Sequence, residues 1–177
     1  MKRLLPLSLL LFLTTGCSTY TVLRYAPSTD NVVALRALEG KSINVGAFTA
    51  ATPGQTEIMC RAVGPIKTPD GEPFSDYVRK AFLDDLRIAN VYSDSAKITI
   101  TGHLDAIDFS SNSGEWHLSL TVKSTNGKSM SVSENYKYKT SFYGETACNQ
   151  SAQALMPAVQ NLVGRVVRSA EFKNLLD

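Results

Sequence analysis

Residues 98–137 decide the fold, and they read ITITGHLDAIDFSSNSGEWHLSLTVKSTNGKSMSVSENYK. Apolar and polar residues alternate along three successive runs, which is the period-two pattern of half-buried β-strands. Ile107 and Phe109 continue the first run on the opposite parity, so we expect a β-bulge near Ala106. Asn126 and Gly127 mark a hairpin between the second and third runs. The stretch therefore predicts a three-stranded antiparallel meander.

The hairpin loop determines which face of the meander is apolar. A two-residue loop at Asn126-Gly127 would place apolar side chains of one strand beside serines of the other. A three-residue loop that also includes Thr125, with Gly127 left-handed, gives both strands one apolar face, so we choose it. The pairs expected from this register are Val122 with Met130, Leu120 with Val132, and Trp116 with Tyr136. This register also places the charged Glu134 on the apolar face, opposite Leu118.

Two amphipathic helices flank the meander. The first begins at Pro73, and Asp85 is the single polar residue on its apolar face. The second runs from Thr146 to Arg168. It contains Pro157, where we expect a kink or a break because proline lacks the backbone donor and clashes with the preceding turn.

The order of the elements indicates the fold class. Strand-like runs at residues 43–47 and 57–63 precede the first helix, and residues 64–73 predict a loop because they contain three prolines and two glycines. The meander and the second helix follow. We therefore predict an α+β fold, with a mainly antiparallel sheet and two principal helices packed on one face.

The amino terminus has the composition of a secretion signal. Lys2 and Arg3 precede an apolar run at residues 4–13, which is too short to span a bilayer as a helix. Residues 13–18, LTTGCS, then resemble the lipobox of bacterial lipoproteins. In that family a diacylglyceryl group alkylates the cysteine thiol, and a peptidase cuts just before it. The resemblance implies lipid attachment at Cys17.

Two residues beside this cysteine refine the comparison. Thr14 departs from the lipobox, because the family usually has leucine three residues before the cysteine. Ser18 in the second mature position resembles the sorting pattern that sends such proteins to the outer membrane. The alternative is a conventional signal peptide whose cleavage site happens to include a cysteine.

These features divide the chain into three parts. We expect a lipoprotein signal peptide at residues 1–16, a lipidated amino terminus and tether at 17–40, and a single α+β periplasmic domain at 41–177. The chain has 18 Lys and Arg against 16 Asp and Glu, and removal of Lys2 and Arg3 leaves 18 − 2 = 16 positive side chains. The mature protein is therefore formally neutral, which argues against a nucleic-acid-binding domain recognised by its bulk charge.

The remaining cysteines predict one crosslink. With Cys17 acylated, Cys60 and Cys148 allow a single pairing. An exported chain meets an oxidising periplasm, so we expect a disulfide between them. A pair of buried free thiols is the alternative.

No catalytic or metal-binding constellation stands out. The chain lacks the G-x-S-x-G, P-loop, G-x-G-x-x-G, H-E-x-x-H and C-x-x-C motifs. His103 and His117 point away from the apolar face, and the simplest register places His117 across from Ile107, so the two are not neighbours. Asp105 and Asp108 are expected to be solvated. We therefore expect no enzyme activity, no metal and no cofactor.

One aromatic row leaves two interpretations open. Tyr136, Tyr138 and Phe142 follow one another along the last strand, with Trp116 beside them on the predicted apolar face. If the helices cover this face, the row belongs to the core. If they leave one end open, it lines an apolar cleft for a lipid, a peptide or a partner protein.

A wider resemblance covers most of the mature chain. Residues 69–74, PDGEPF, and 77–82, YVRKAF, followed by the strands and a closing helix, look like small uncharacterised proteobacterial outer-membrane lipoproteins. The element order is also similar to YajG-type lipoproteins and to the amino-terminal domain of TolB, at the level of fold only. The resemblance implies a non-enzymatic, periplasm-facing adaptor that binds the membrane through its lipid and another envelope protein, and no nucleic acid. The alternative function is a carrier of a lipid or another apolar ligand.

Overall fold

The computed structural model of the chain describes residues 18–38 and 40–177. Its elements confirm the predicted α+β class. In chain order they are β1 (Tyr20–Thr21), α1 (Thr29–Arg36), β2 (Ile43–Ala50), β3 (Glu57–Cys60), β4 (Gly64–Lys67), α2 (Phe74–Ile88), β5 (Ile98–Ser110), β6 (Glu115–Ser124), β7 (Ser129–Lys137), α3 (Gly144–Val167) and α4 (Ala170–Asn174). The predicted signal peptide and Cys17 lie outside the described residues.

The main sheet has the strand order β2-β5-β6-β7. Strand β2 runs parallel to β5, and the other neighbours are antiparallel, so the meander is confirmed. The three-residue hairpin loop is also confirmed, because Gly127 has a φ of 89° and Ser124 donates to the carbonyl of Lys128. The predicted pairs are present, namely Val122 with Met130, Leu120 with Val132, Trp116 with Tyr136, and Leu118 with Glu134.

The predicted bulge is confirmed, and it corrects one expected pair. The register between β5 and β6 shifts between Leu104 and Ala106, where the extra residue is Asp105. His103 pairs with Thr121 before the shift, and beyond it the residue across from His117 is Asp108 rather than Ile107. The simplest register failed there because one inserted residue moves every later pair by one position.

Both long helices pack on the apolar face of this sheet. Helix α2 lies mainly against β2, and α3 lies against β6 and β7. Helix α3 is continuous through Pro157, so the predicted break is absent, and it begins two residues before the expected start. The largest fully buried side chains include Trp116, Phe74, Phe82 and Phe172.

Residues 64–67 form a strand where the prolines predicted a loop. Strand β4 is central in a second sheet of order β1-β4-β3. The bond from the Thr68 amide to Thr56 shows that the even-numbered residues of β4 bond to β3, so Pro65 faces β1. Pro65 is compatible with a strand there because β1 pairs with Ile66 and Lys67 and not with Pro65.

The segment predicted as a tether belongs to the domain over its described residues. Strand β1 and helix α1 lie within residues 17–40. Val22, which follows β1, and Val32 and Leu35 of α1 belong to the hydrophobic core. An eight-residue helix is too short to give a clear hydrophobic period, which explains why the sequence pattern did not indicate it.

The predicted disulfide is present between Cys60 at the end of β3 and Cys148 in the first turns of α3. It joins the small sheet to the helix that covers the main sheet. Over residues 18–38 and 40–177, no helix combines the length and the apolar character needed to cross a bilayer.

Candidate functional site

The aromatic row does not line one open cleft. Trp116 is fully buried, and its Nε1 donates to the carbonyl of Ser151 at 2.8 Å. The hydroxyl of Tyr138 lies 2.6 Å from the Ser151 hydroxyl, and Tyr136 is half-buried against the core. Phe142 is instead 94% exposed. The first three residues belong to the core and its rim, while Phe142 lies on the surface because it follows the end of β7.

The histidines and aspartates of the meander lie on the opposite, polar face. His103 Nδ1 is 2.7 Å from the Thr49 hydroxyl, and His117 Nδ1 is 2.9 Å from Asn135 Oδ1. Asp105 accepts from the Thr121 hydroxyl at 2.8 Å. Among the residues that the structure describes, no three His, Cys, Asp or Glu side chains are placed to hold a metal ion.

The first half of one edge of the main sheet, residues 43–46 of β2, is covered. The Ile43 amide of β2 donates to Val91 at 2.9 Å, and the Ser93 amide donates to Ile43 at 3.0 Å. Farther along β2, Arg79 of α2 donates through Nε to the carbonyl of Gly46 at 2.7 Å. Arg79 thereby satisfies acceptors along the edge of β2.

The other edge, strand β7, is open. Hydrogen bonds at both ends of the β6–β7 ladder, from Ser124 to Lys128 and from Tyr138 to Gly114, establish that even-numbered residues of β7 bond to β6. The odd-numbered residues therefore direct their amide and carbonyl groups away from the sheet. Those residues are Ser129, Ser131, Ser133, Asn135 and Lys137. Within the described part of the chain, none of these outward groups has a hydrogen-bond partner.

A shallow groove of about 620 Å³ runs beside this edge. Its walls are strand β7 and the carboxyl-terminal half of α3. The lining residues are Ser131, Val132, Ser133, Glu134, Asn161, Gly164, Arg165, Arg168 and Ser169. Most of these are polar, so the groove suits a hydrogen-bonding ligand better than a lipid tail.

The charges in the groove are only partly compensated. The Glu134 carboxylate, with a side chain 6% exposed, accepts from Arg165 Nε. Arg168 donates through Nη1 to the neutral Oδ1 of Asn31 at 3.0 Å. In the described residues Arg168 has no carboxylate partner, so the groove carries a net positive charge.

A buried carboxylate joins the amino-terminal segment to this region. Asp85 of α2 is fully buried and accepts from the Tyr25 hydroxyl at 2.9 Å, Asn31 Nδ2 at 2.9 Å and the Ser28 amide at 3.2 Å. Burial raises the pKa of Asp85, and it also raises the pKa of Tyr25. Asp85 therefore fixes α1 against α2, and through Asn31 it supports Arg168.

The sequence contained part of the signal for these residues. Asp85 is the polar position on the apolar face of α2, but its partners lie in the segment that was interpreted as a tether. The open edge had no signal of its own, because it depends on which strands the rest of the chain covers. No protein-family model matches this chain, and neither does any curated protein.

Proposed function

We propose that this protein is an outer-membrane lipoprotein that faces the periplasm and acts as a non-enzymatic binding or assembly module. Its partner is another envelope protein, which contributes an extended segment to the open edge of β7. The observation that carries this proposal is the row of outward amide and carbonyl groups at the odd-numbered positions from Ser129 to Lys137.

Strand addition uses this arrangement directly. An extended peptide beside β7 would gain main-chain hydrogen bonds at every second residue, and the adjoining groove would select its side chains. Arg165 and Arg168 favour a segment with acidic or polar side chains on that side. Glu134 on the same strand is buried, and inward charges limit unspecific pairing between sheet edges. This favours an edge that pairs selectively with one partner segment.

The carrier alternative has less support from the described residues. Its cleft would be lined by Trp116 and Tyr136, but Trp116 is fully buried and donates to Ser151. The polar lining of the groove beside β7 likewise favours a peptide over an apolar ligand.

Crosslinking in intact cells tests the edge as the binding site. A photoreactive residue at Asn135 is expected to capture one envelope protein, whereas the same residue at Thr101, exposed on the central strand β5, captures none. Ser133→Pro removes one outward amide without touching the ladder to β6, so it should abolish the crosslink. Ser133→Ala keeps the amide and should retain it. An unchanged crosslink in Ser133→Pro would count against binding at this edge.

Acyl labelling tests the anchor independently. Cells that express the full chain are supplied with radioactive palmitate, and the wild-type protein is expected to become labelled. Cys17→Ser removes the thiol that accepts the lipid, so labelling should disappear. Label that persists in Cys17→Ser would refute the lipoprotein assignment without bearing on the β7 edge.

A further inference from the structure

An exposed aromatic pair lies just before α3. Phe142 is 94% exposed and Tyr143 is 75% exposed. Their rings meet edge to face, with centroids 6.2 Å apart and planes at 79°. Neither ring is in the hydrophobic core, so the fold gains little from two large apolar side chains at this point.

The backbone beneath the two rings is firmly held. Arg61 donates through Nη1 to the carbonyl of Phe142 at 2.9 Å and through Nη2 to that of Ser141 at 3.2 Å. Its Nε also donates to the Ser111 hydroxyl at 3.0 Å. Arg61 has a φ of 50°, which lies in the left-handed region that residues other than glycine rarely occupy. The rings are therefore displayed on a fixed loop.

The described chain begins at the same end of the domain. The carbonyl oxygen of Ser18 lies 1.8 Å from the point where a Cβ on Gly64 would sit, so Ser18 packs directly on Gly64. The equivalent point on Gly144 is 2.8 Å from Val63 Cγ2. The turn at residues 61–64 thus contacts both the start of the described chain and the residue that follows Tyr143.

The opposite end of the domain is far away. Strand β5 has 13 residues from Ile98 to Ser110 and spans roughly 40 Å. Ser111, directly after it, bonds to Arg61 at the aromatic end. At the other end Ile98 pairs with Ile43, which contacts the segment that follows α2. Ile88, the last residue of α2 and 54% exposed, therefore lies at that remote end.

We propose that the end of the domain carrying Phe142 and Tyr143 lies against the bilayer, with both rings in the headgroup region beside the lipid anchor. The inference rests on the proposed acylation of Cys17, which directly precedes Ser18 and brings this end to within one residue of the membrane. Aromatic rings, and tyrosine with its polar tip in particular, favour this interface. The arrangement also orients the domain, since β5 then points its Ile98 end toward the periplasm.

Fluorescence quenching tests this orientation. The full acylated chain is reconstituted into vesicles of phosphatidylethanolamine and phosphatidylglycerol whose acyl chains carry bromine near the headgroup. Phe142→Trp is expected to lose most of its added emission, whereas Ile88→Trp should keep its own. The wild-type chain gives the background, because its one tryptophan is the buried Trp116. Matching thermal unfolding of the three proteins establishes that both substitutions leave the fold intact.

The outcomes separate this inference from the anchor. Palmitate labelling with quenching confined to Phe142→Trp supports the bilayer contact. Labelling with equal quenching of Phe142→Trp and Ile88→Trp overturns it while leaving the anchor in place. Absence of labelling overturns both, since the anchor is what brings this end to the membrane.

Discussion

Glu134 on the edge strand β7 directs its carboxylate beneath α3, where Arg165 donates to it from Nε. Asn161 adds a second donor at 3.2 Å. The glutamate lies opposite Leu118, so it places a charge in the apolar face that the hairpin otherwise completes. The Glu134–Arg165 pair therefore has two effects. It holds α3 against the sheet, and it keeps a charged side chain on the inner face of the open edge strand.

Removal of Arg165 should lower the stability of the protein, because it leaves the buried Glu134 charge without its ionic partner. In Arg165→Met, Glu134 keeps only Asn161 as a donor, so we expect the free energy of unfolding to fall by about 1–3 kcal/mol. Adding Glu134→Gln should recover part of the loss because it removes the unpaired charge. Urea unfolding of the two single variants and of the double variant measures the coupling free energy between Arg165 and Glu134. Arg165→Met with wild-type stability would mean that water already screens the half-exposed arginine.

Replacement of Glu134 by leucine should cause self-association without lowering the stability of the protein. Glu134→Leu extends the apolar face opposite Leu118 and leaves the half-exposed Arg165 hydrated, so the free energy of unfolding should change by less than about 1 kcal/mol or increase. The edge then lacks its inward charge, and we expect the protein to self-associate. Sedimentation velocity measures the association, and adding Ser133→Pro should return the monomer. A monomeric Glu134→Leu would show that the charge does not protect the edge.

The disulfide should contribute a large part of the stability. Cys60 and Cys148 enclose a separation of 88 residues, which corresponds to about 4–5 kcal/mol in the chain-entropy model. The double variant Cys60→Ala, Cys148→Ala should lose that amount in urea unfolding. Wild-type protein unfolded with a reductant provides the control and should match the double variant. A loss below about 1 kcal/mol would contradict the entropic account.

Much of the fold could be predicted from local pattern. The hairpin register had one solution that gave both strands an apolar face, and the parity change after Ala106 indicated the bulge. Short elements escaped this reasoning. Strand β4 has four residues including Pro65, and α1 has eight, so neither repeats its period often enough to be recognised.

The candidate site depends on contacts between distant parts of the chain. Whether an edge is open is decided by what covers it, and residues 43–46 of β2 are covered by Arg79 and the segment at residues 91–93. No local pattern in β7 distinguishes it from a covered strand. Asp85 was visible as a polar residue on an apolar helix face, but its role became clear only with Tyr25 and Asn31 in place.

The buried carboxylate of Asp85 should make the stability depend on pH. Burial raises its pKa in the native state, so the folded protein keeps a proton that the unfolded chain has already released. The free energy of unfolding should therefore fall as the pH rises from about 4, the pKa of an unfolded aspartate, through the raised native value. Asp85→Asn cannot ionise, so its unfolding should lack this slope.

The difference between the two proteins isolates this group. We expect wild type to lose stability relative to Asp85→Asn as the pH increases, because other titrating groups are common to both chains and cancel. Urea unfolding over a pH series measures the difference, and Asp84→Asn controls for the loss of a charge from α2. If wild type instead gained on Asp85→Asn with rising pH, the three donors around the carboxylate would outweigh its burial, and the native pKa would lie below the unfolded one.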